Sequence, residues 1–185
     1  EYGGGSMGVK KDIAHIQELP CEAKLTITSV SLSDDRASPT VQTDTKFTLK
    51  SATAPYRLAY VLTEDSLQVA QSNYYSTAYG GSESDTPQEL RELVGRPGKY
   101  WAICNDVARC ATGLDGIEGS IAAPIEANKT QQFTYTLDVP ANIEQLGYCH
   151  LVVPLLDTAT GEILNADPTS PAPVRPLHPP PPPPG

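Results

Sequence analysis

The fold of this chain is decided by two stretches, the first of which is Lys99-Tyr100-Trp101-Ala102-Ile103-Cys104-Asn105-Asp106-Val107-Ala108-Arg109-Cys110. The second is Leu155-Leu156-Asp157-Thr158-Ala159-Thr160-Gly161-Glu162-Ile163-Leu164-Asn165-Ala166. The first predicts a strand over residues 99–107. The second places two hydrophobic arms around a turn, the pattern of a β-hairpin with a glycine bulge. Neither stretch arranges its residues for catalysis, so both indicate a fold rather than a reaction.

The sequence around these stretches continues with a period of two residues. In residues 41–50, apolar or threonine side chains face one way and charged or amide side chains face the other. The same alternation starts at Leu25 and returns in residues 56–62 and 131–138. About seven such strands, without helices between them, predict an all-β fold, an antiparallel two-sheet β-sandwich with an immunoglobulin-like outline.

The flanks of this region differ from it in composition. Residues 1–22 are predicted to be a linker plus a short amphipathic helix over 8–19. The sandwich domain is predicted over residues 23–168, and a Pro-rich tail over 169–185 ends in a polyproline II rod. Within the domain, residues 66–98 predict a long connection with one short helix at 87–94, in which Thr86 is the N-cap and Pro87 the first helical residue.

The composition limits the possible partners. The 185 residues include 13 basic and 22 acidic side chains, which give a formal charge of −9. This charge repels phosphate backbones and anionic lipid surfaces, so binding to nucleic acid or to a membrane surface is disfavoured. No apolar run approaches the ~20 residues that a membrane span requires.

Four cysteines, at positions 21, 104, 110 and 149, form an even set without a Cys-x-x-Cys motif. This excludes a thioredoxin-type active site and favours an oxidising compartment. We predict at least one disulfide among Cys21, Cys104, Cys110 and Cys149. Cys104–Cys110 is slightly preferred, on condition that the chain folds back between them. The alternative is four buried free thiols. The spacing of Cys104, Cys110, Cys149 and His150 fits no common zinc pattern, so we expect neither a metal nor another cofactor.

Two further groups of residues are candidates for a site. Tyr74, Tyr75 and Tyr79 lie in the long Ser/Gly-rich connection and, with Trp101, predict a recognition surface for which Gly80-Gly81 would be a hinge. The alternative is that these tyrosines pack the loop onto the sandwich. Asp106 and Arg109 have opposite charges three residues apart and predict a structural ion pair.

The ordered segments of the domain resemble the C-terminal domain of the Omp-twenty-eight-related outer-membrane proteins of Bacteroidetes. The residues that carry this resemblance are Tyr56-Arg57-Leu58-Ala59-Tyr60-Val61-Leu62-Thr63-Glu64-Asp65, Gln71-Ser72-Asn73-Tyr74-Tyr75, Asn105-Asp106-Val107-Ala108-Arg109, Gly116-Ile117-Glu118-Gly119-Ser120 and residues 157–166. In that family a thioredoxin-like domain usually precedes the sandwich, so the resemblance implies that residues 1–22 are a linker plus a helix left from a preceding domain. The resemblance implies export to the cell envelope or surface and a binding or adhesive role. Ser66 and Thr158 lie in segments that look like the O-glycosylation pattern of Bacteroidetes.

We therefore expect a non-enzymatic, exported or cell-surface β-sandwich module that serves protein binding, adhesion or envelope architecture. Its partner would be a protein or a glycan at the cell surface. One alternative is an accessory domain of a thioredoxin-like thiol–disulfide oxidoreductase. Another is a subunit of a surface assembly that self-associates through its terminal segments.

Overall fold

The structure, a computed structural model, describes residues 13–14, 17–18, 21–33 and 38–169. In this part of the chain there are ten strands: β1 (Ala23–Leu32), β2 (Pro39–Phe47), β3 (Tyr56–Leu58), β4 (Tyr60–Glu64), β5 (Leu67–Ser72), β6 (Lys99–Cys104), β7 (Val107–Thr112), β8 (Thr130–Thr136), β9 (Cys149–Asp157) and β10 (Ile163–Pro168). Three short 3₁₀ helices occupy Thr77–Tyr79, Gln88–Leu93 and Leu146–Tyr148. The prediction of an all-β, antiparallel sandwich is confirmed.

The chain divides into two compact units. Unit 1 comprises Glu1–Tyr60, Thr112–Leu137 and Val153–Asp167, and unit 2 comprises Val61–Ala111, Asp138–Val152 and Pro168–Gly185. The domain boundaries proposed from the sequence at residues 22 and 168 stay predictions. No helix in the described ranges is long and apolar enough to cross a membrane.

Unit 1 contains a three-stranded antiparallel sheet with the order β1-β2-β8. In β2 every second residue is buried, as the alternation predicts, and the buried positions include Val41, Thr43 and Phe47. The buried Thr43 hydroxyl satisfies its hydrogen bond with the Tyr60 hydroxyl at 3.3 Å. The Tyr60 ring also stacks on Tyr135 of β8 at a centroid distance of 5.0 Å. Aromatic stacking thus joins the inner face of this sheet to the opposing layer of the unit.

The hairpin of unit 1 has the predicted form. The N–H of Gly161 donates to the carbonyl of Asp157 at 2.8 Å, and Gly161 has a φ of 79°, the left-handed conformation that glycine adopts without strain. Opposite the hairpin arm, the Ser120 hydroxyl oxygen accepts the Leu58 N–H at 2.8 Å, and Ser120 is buried. The serine therefore supplies a hydrogen-bond partner where the β3 ladder ends.

Unit 2 is organised around β4, which pairs with β9 from Val61↔Val152 to Glu64↔Cys149 and also neighbours β7. Beyond Glu64, β5 and β6 form a separate two-stranded ribbon from Leu67↔Cys104 to Ser72↔Lys99. The predicted strand at 99–107 is therefore interrupted at Asn105-Asp106. The predicted connection at 66–98 is shorter than expected, because its first residues form β5.

Side chains close the break between the strands of unit 2. Ser66 and Asp106 adopt left-handed backbone conformations with φ values of 62° and 55°. The Asn105 side-chain oxygen accepts the Ser66 N–H at 3.0 Å, and the Asp65 carboxylate accepts the Asp106 N–H at 2.8 Å. These reciprocal bonds replace ladder bonds at the two breaks, between β4 and β5 and between β6 and β7.

The helix predictions are only partly right. The predicted α-helix at 87–94 is a 3₁₀ helix at Gln88–Leu93 whose N-cap is Pro87. Thr86 is not the cap, because its hydroxyl donates to the Ser82 carbonyl at 2.7 Å. The helix predicted over 8–19 lies mostly outside the described residues, although residues 13–14 and 17–18 are helical. The tail after residue 169 also lies outside them.

Candidate functional site

The segment of residues 73–98, here called the tyrosine loop, connects β5 to β6 and is held by Asn73. This residue is 2% exposed, and its side-chain amide donates to the carbonyls of Leu93 at 2.6 Å and Pro97 at 3.3 Å. Its backbone N–H donates to the Gly98 carbonyl at 2.9 Å. One buried side chain thus joins the start of the loop to its end, which fixes the loop without an apolar core of its own.

Gly80-Gly81 forms a cap in this loop rather than the predicted hinge. Gly80 ends the first 3₁₀ helix in a left-handed conformation, with a φ of 82°. The N–H of Gly81 donates to the Ser76 carbonyl at 3.0 Å. A Cβ atom at position 81 would lie 1.9 Å from the backbone oxygen of Tyr75, so only glycine fits there. The pair therefore locks the turn that carries Tyr79.

Two tyrosines of the loop project outward. Tyr74 is 78% exposed and Tyr79 is 58% exposed, and their ring centroids lie 6.1 Å apart with an interplanar angle of 41°. Tyr75 between them is half-buried. On its other side the Tyr79 ring lies where a Cβ of Gly98 would be, at 2.6 Å. Tyr74 and Tyr79 therefore form an exposed pair of touching rings on a fixed support, which we call the tyrosine notch.

Trp101 belongs to a second apolar surface, on the β5–β6 ribbon. In β6 the residues alternate, and Lys99, Trp101 and Ile103 share the exposed face. Trp101 is 47% exposed and Ile103 is 55% exposed. On the opposite face Tyr100 lies under the Arg96 guanidinium, 5.6 Å from the ring centroid. Trp101 therefore stands on a strand that is paired along its length, and its orientation does not depend on the tyrosine loop.

Unit 2 also contains a buried ion pair. The predicted pair of Asp106 with Arg109 is wrong. Arg109 instead pairs with Glu64, with Nε and Oε2 3.3 Å apart, in an alignment that makes an ion pair and not a hydrogen bond. The other Glu64 oxygen accepts the backbone N–H groups of Glu144 at 2.9 Å and Gln145 at 2.5 Å. The Arg109 guanidinium also donates to the Asn142 carbonyl. The pair therefore fastens the segment before β9 onto the sheet.

Glu64 is the residue of this site that the sequence analysis did not single out. Glu64 is fully buried, with 0% exposure. A signal was present, because Leu58, Tyr60 and Leu62 establish the inward period and Glu64 continues it. Its neighbour Asp65 accepts a bond at 2.8 Å from His150 Nε2. The backbone N–H of Asp106 and then His150 lower the pKa of the Asp65 carboxyl.

All four cysteines are free thiols in the structure, so the predicted disulfide is not shown. Cys104 lies opposite Leu67 in the β5–β6 ribbon. Cys110 lies on β7, beyond the break at Asn105-Asp106. The chain does not fold back between them, which was the condition for the preferred Cys104–Cys110 pair. Burial, followed by the Glu64 carboxylate, raises the pKa of the Cys149 thiol to about 11. Cys149 is therefore a protonated, weakly nucleophilic thiol at neutral pH.

The remaining candidates do not converge on a reaction. Ser66 lies at the break between β4 and β5. Thr158 is exposed in the hairpin, where its hydroxyl donates to the Pro55 carbonyl at 2.7 Å. A shallow depression of unit 1 is lined by Leu114, Asp115, Leu156, Asp157, Thr158 and Gly161. In the described part of the chain, no three His, Cys, Asp or Glu side chains are grouped to hold a metal ion. The exposed aromatic surfaces of unit 2 are thus the best candidates for a binding site.

Comparison with known proteins gives a likeness in fold. HBP35 of Porphyromonas gingivalis matches with a TM-score of 0.54 at 12% identity, over 92% of this chain and 49% of that chain. This chain therefore spans about half the length of HBP35, and at this identity the likeness shows the fold alone. A β-glucosidase from Kluyveromyces marxianus matches at 13% identity over 79% of this chain and 14% of that one. Its TM-score of 0.29 is too low to carry an argument. Neither a protein-family model nor a curated protein matches the chain.

Proposed function

We propose that this chain is a non-enzymatic module of the cell envelope or surface. It binds protein partners through the tyrosine notch and through the exposed face of β6 that carries Trp101. The observation that carries the proposal is the exposure of Tyr74 and Tyr79 on a loop fixed by buried Asn73. Exposed aromatics on a fixed frame give contact area with little loss of side-chain entropy on binding, and Tyr and Trp are enriched among binding hot spots.

The proposed location in the envelope rests on a likeness. This chain resembles the Omp-twenty-eight-related outer-membrane proteins of Bacteroidetes in sequence, and its likeness in fold to HBP35 of Porphyromonas gingivalis is compatible with a surface module. Membership of the Omp-twenty-eight-related family, and O-glycosylation at Ser66 and Thr158, are finer proposals that rest on the sequence resemblance. The net charge of −9 supports a protein partner over nucleic acid.

The absence of enzymatic activity is also a proposal. The raised pKa of Cys149 disfavours thiolate chemistry at this position. An assay of disulfide reductase and hydrolase turnover by the full chain is expected to give the rate of the buffer alone. Turnover that a single substitution in this chain abolishes would contradict the proposal.

The partner class can be tested with outer-membrane fractions of the organism that encodes the chain. We expect saturable binding of the labelled full chain, which is lost when the fraction has been treated with protease. The double substitution Tyr74→Ser/Tyr79→Ser should weaken binding at least about tenfold, since truncation of a hot-spot aromatic costs about 2 kcal/mol. The matched control is Leu114→Ser/Ile163→Ser, which removes exposed apolar side chains elsewhere. Equal binding by both double variants, or binding that survives protease, would refute the proposed protein recognition.

A further inference from the structure

The tyrosine notch has the chemistry of a proline-binding site. Its two rings are tilted by 41° with centroids 6.1 Å apart, so they contact each other and leave their outer faces open to solvent. Grooves lined by aromatic residues bind polyproline II segments, because a proline ring packs flat on an aromatic face. The polyproline II backbone makes no internal hydrogen bonds, so its carbonyls can accept hydrogen bonds from the hydroxyls of Tyr74 and Tyr79.

The chain itself contains a ligand of this type, in residues 171–184, here called the Pro-rich segment. Its sequence is Pro171-Ala172-Pro173-Val174-Arg175-Pro176-Leu177-His178, followed by prolines from 179 to 184. A polyproline II helix repeats every three residues, so prolines 173, 176, 179 and 182 share one face. That face, called the proline face, consists of proline alone.

The charges of the two segments are complementary. The Pro-rich segment contains Arg175 and no acidic residue. The tyrosine loop contains four acidic side chains, at positions 83, 85, 89 and 92, against two arginines. One of these arginines, Arg96, is paired with Glu92 at 3.6 Å. The acidic excess of the loop favours a basic ligand over an acidic one.

The length of the segment allows it to reach the notch of its own chain. Thr169, the last described residue, is fixed in unit 2 by its N–H bond of 2.7 Å to the Leu151 carbonyl. Leu151 pairs with Leu62, which precedes Asn73 by eleven residues, a distance of at most about 36 Å in extended chain. Residues 170–184 in polyproline II span about 47 Å. The length that the segment would have in this conformation is therefore comparable to the greatest separation that this path allows, and a path less than fully extended brings the notch within its reach.

We propose that the Pro-rich segment occupies the tyrosine notch of the same chain, with a proline of the proline face packed on the exposed ring faces of Tyr74 and Tyr79. This inference rests on the proposed function, because it assigns an internal ligand to the same recognition surface. A partner that uses the notch must displace the segment, which makes partner binding a competition.

The proposal is tested by the rate at which each tyrosine of the full chain reacts with N-acetylimidazole, measured by peptide mass spectrometry. The test variant replaces prolines 173, 176, 179 and 182 by alanine. The matched control replaces prolines 180, 181, 183 and 184, which leaves the proline face intact. At an effective concentration of about 1 mM and a dissociation constant near 0.1 mM, docking protects about tenfold. We expect Tyr74 and Tyr79 to react about tenfold faster in the test variant only, with Tyr100 unchanged.

Three results would overturn the inference. Equal rates in the parent chain and the test variant would show that the segment does not cover the notch. Equal acceleration by the control would show that the proline face is not what binds. Protection that disappears on dilution would assign the notch to a second copy of the chain. None of these results affects the loss of envelope binding expected for Tyr74→Ser/Tyr79→Ser, so the two proposals fail separately.

Discussion

Replacement of Glu64 by glutamine tests the buried ion pair of unit 2 most directly. The Glu64 and Arg109 side chains are 1% and 14% exposed, so water cannot compensate for a lost partner. Glutamine keeps an oxygen for the N–H groups of Glu144 and Gln145, but it then places its amide NH₂ against the guanidinium. Removal of one partner of a buried pair costs about 3–5 kcal/mol, and we expect the lower end because the two backbone bonds survive.

The assay is urea unfolding of the parent chain, Glu64→Gln, Arg109→Met and the double variant. With a slope near 2 kcal/mol per molar urea, a loss of about 3 kcal/mol lowers the midpoint by roughly 1.5 M. The double variant should be more stable than the sum of the single losses predicts, by about 2 kcal/mol, since no unpaired charge remains. Glu126→Gln is the matched control, because its pair with Lys50 is exposed and should contribute less than about 1 kcal/mol.

Two results would refute this reasoning. One is a loss below about 1 kcal/mol for Glu64→Gln, which is the range of a surface pair. The other is strict additivity in the double variant, which would show that Glu64 and Arg109 act independently. Amide hydrogen exchange at Glu144 and Gln145 gives a local readout, because opening of the segment before β9 should accelerate exchange there in the Glu64 variant.

Three further predictions concern single residues. Because the folded state lowers the pKa of Asp65, its contribution to stability is complete above the unfolded pKa of about 4 and is lost as the pH falls through the folded pKa. Urea unfolding at pH 5 and pH 3 should therefore show a smaller loss for Asp65→Asn than for the parent chain, and equal losses would contradict this. The Cys149 thiol has a pKa of about 11, so at pH 8 iodoacetamide should modify it roughly a hundredfold more slowly than an unperturbed thiol. A normal rate of modification would be inconsistent with the burial of this thiol. Gly81→Ala should destabilise the chain by about 1–3 kcal/mol, because the added methyl clashes with the Tyr75 backbone. Gly95→Ala is the control and should be neutral or stabilising, since a Cβ there meets nothing within 4 Å. Equal effects of the two variants in thermal unfolding would count against the packed turn.

The strands could be predicted because the inner face of each sheet imposes a period of two on the sequence. Val41, Thr43, Thr45 and Phe47 are all buried on β2, as their spacing indicates. The hairpin was equally readable, since Gly161 supplies the left-handed residue that the turn requires. Periodicity does not reveal the strand breaks at Asp65-Ser66 and Asn105-Asp106, because each is held by a bond from a backbone N–H to a side chain that is distant in the sequence.

The candidate site was only partly predictable for a related reason. Tyr74, Tyr79 and Trp101 could be identified from composition, and their exposure agrees with a recognition role. The support beneath them rests on Asn73, whose side-chain amide binds the carbonyls of Leu93 and Pro97, about twenty residues further along the chain. The charge of Arg109 was noticed, but its partner Glu64 lies on a neighbouring strand that only the fold brings close.

The central claim is that the tyrosine notch exists for binding and not for packing. It is tested most directly by a paired measurement on Tyr74→Ser/Tyr79→Ser in the full chain: the thermal unfolding midpoint, and binding to protease-sensitive sites in the outer-membrane fraction. Because these rings are 78% and 58% exposed, we expect the midpoint to equal that of the Leu114→Ser/Ile163→Ser control and binding to fall at least about tenfold. A lowered midpoint with binding unchanged would contradict the account, because the tyrosines would then stabilise the fold and recognise nothing.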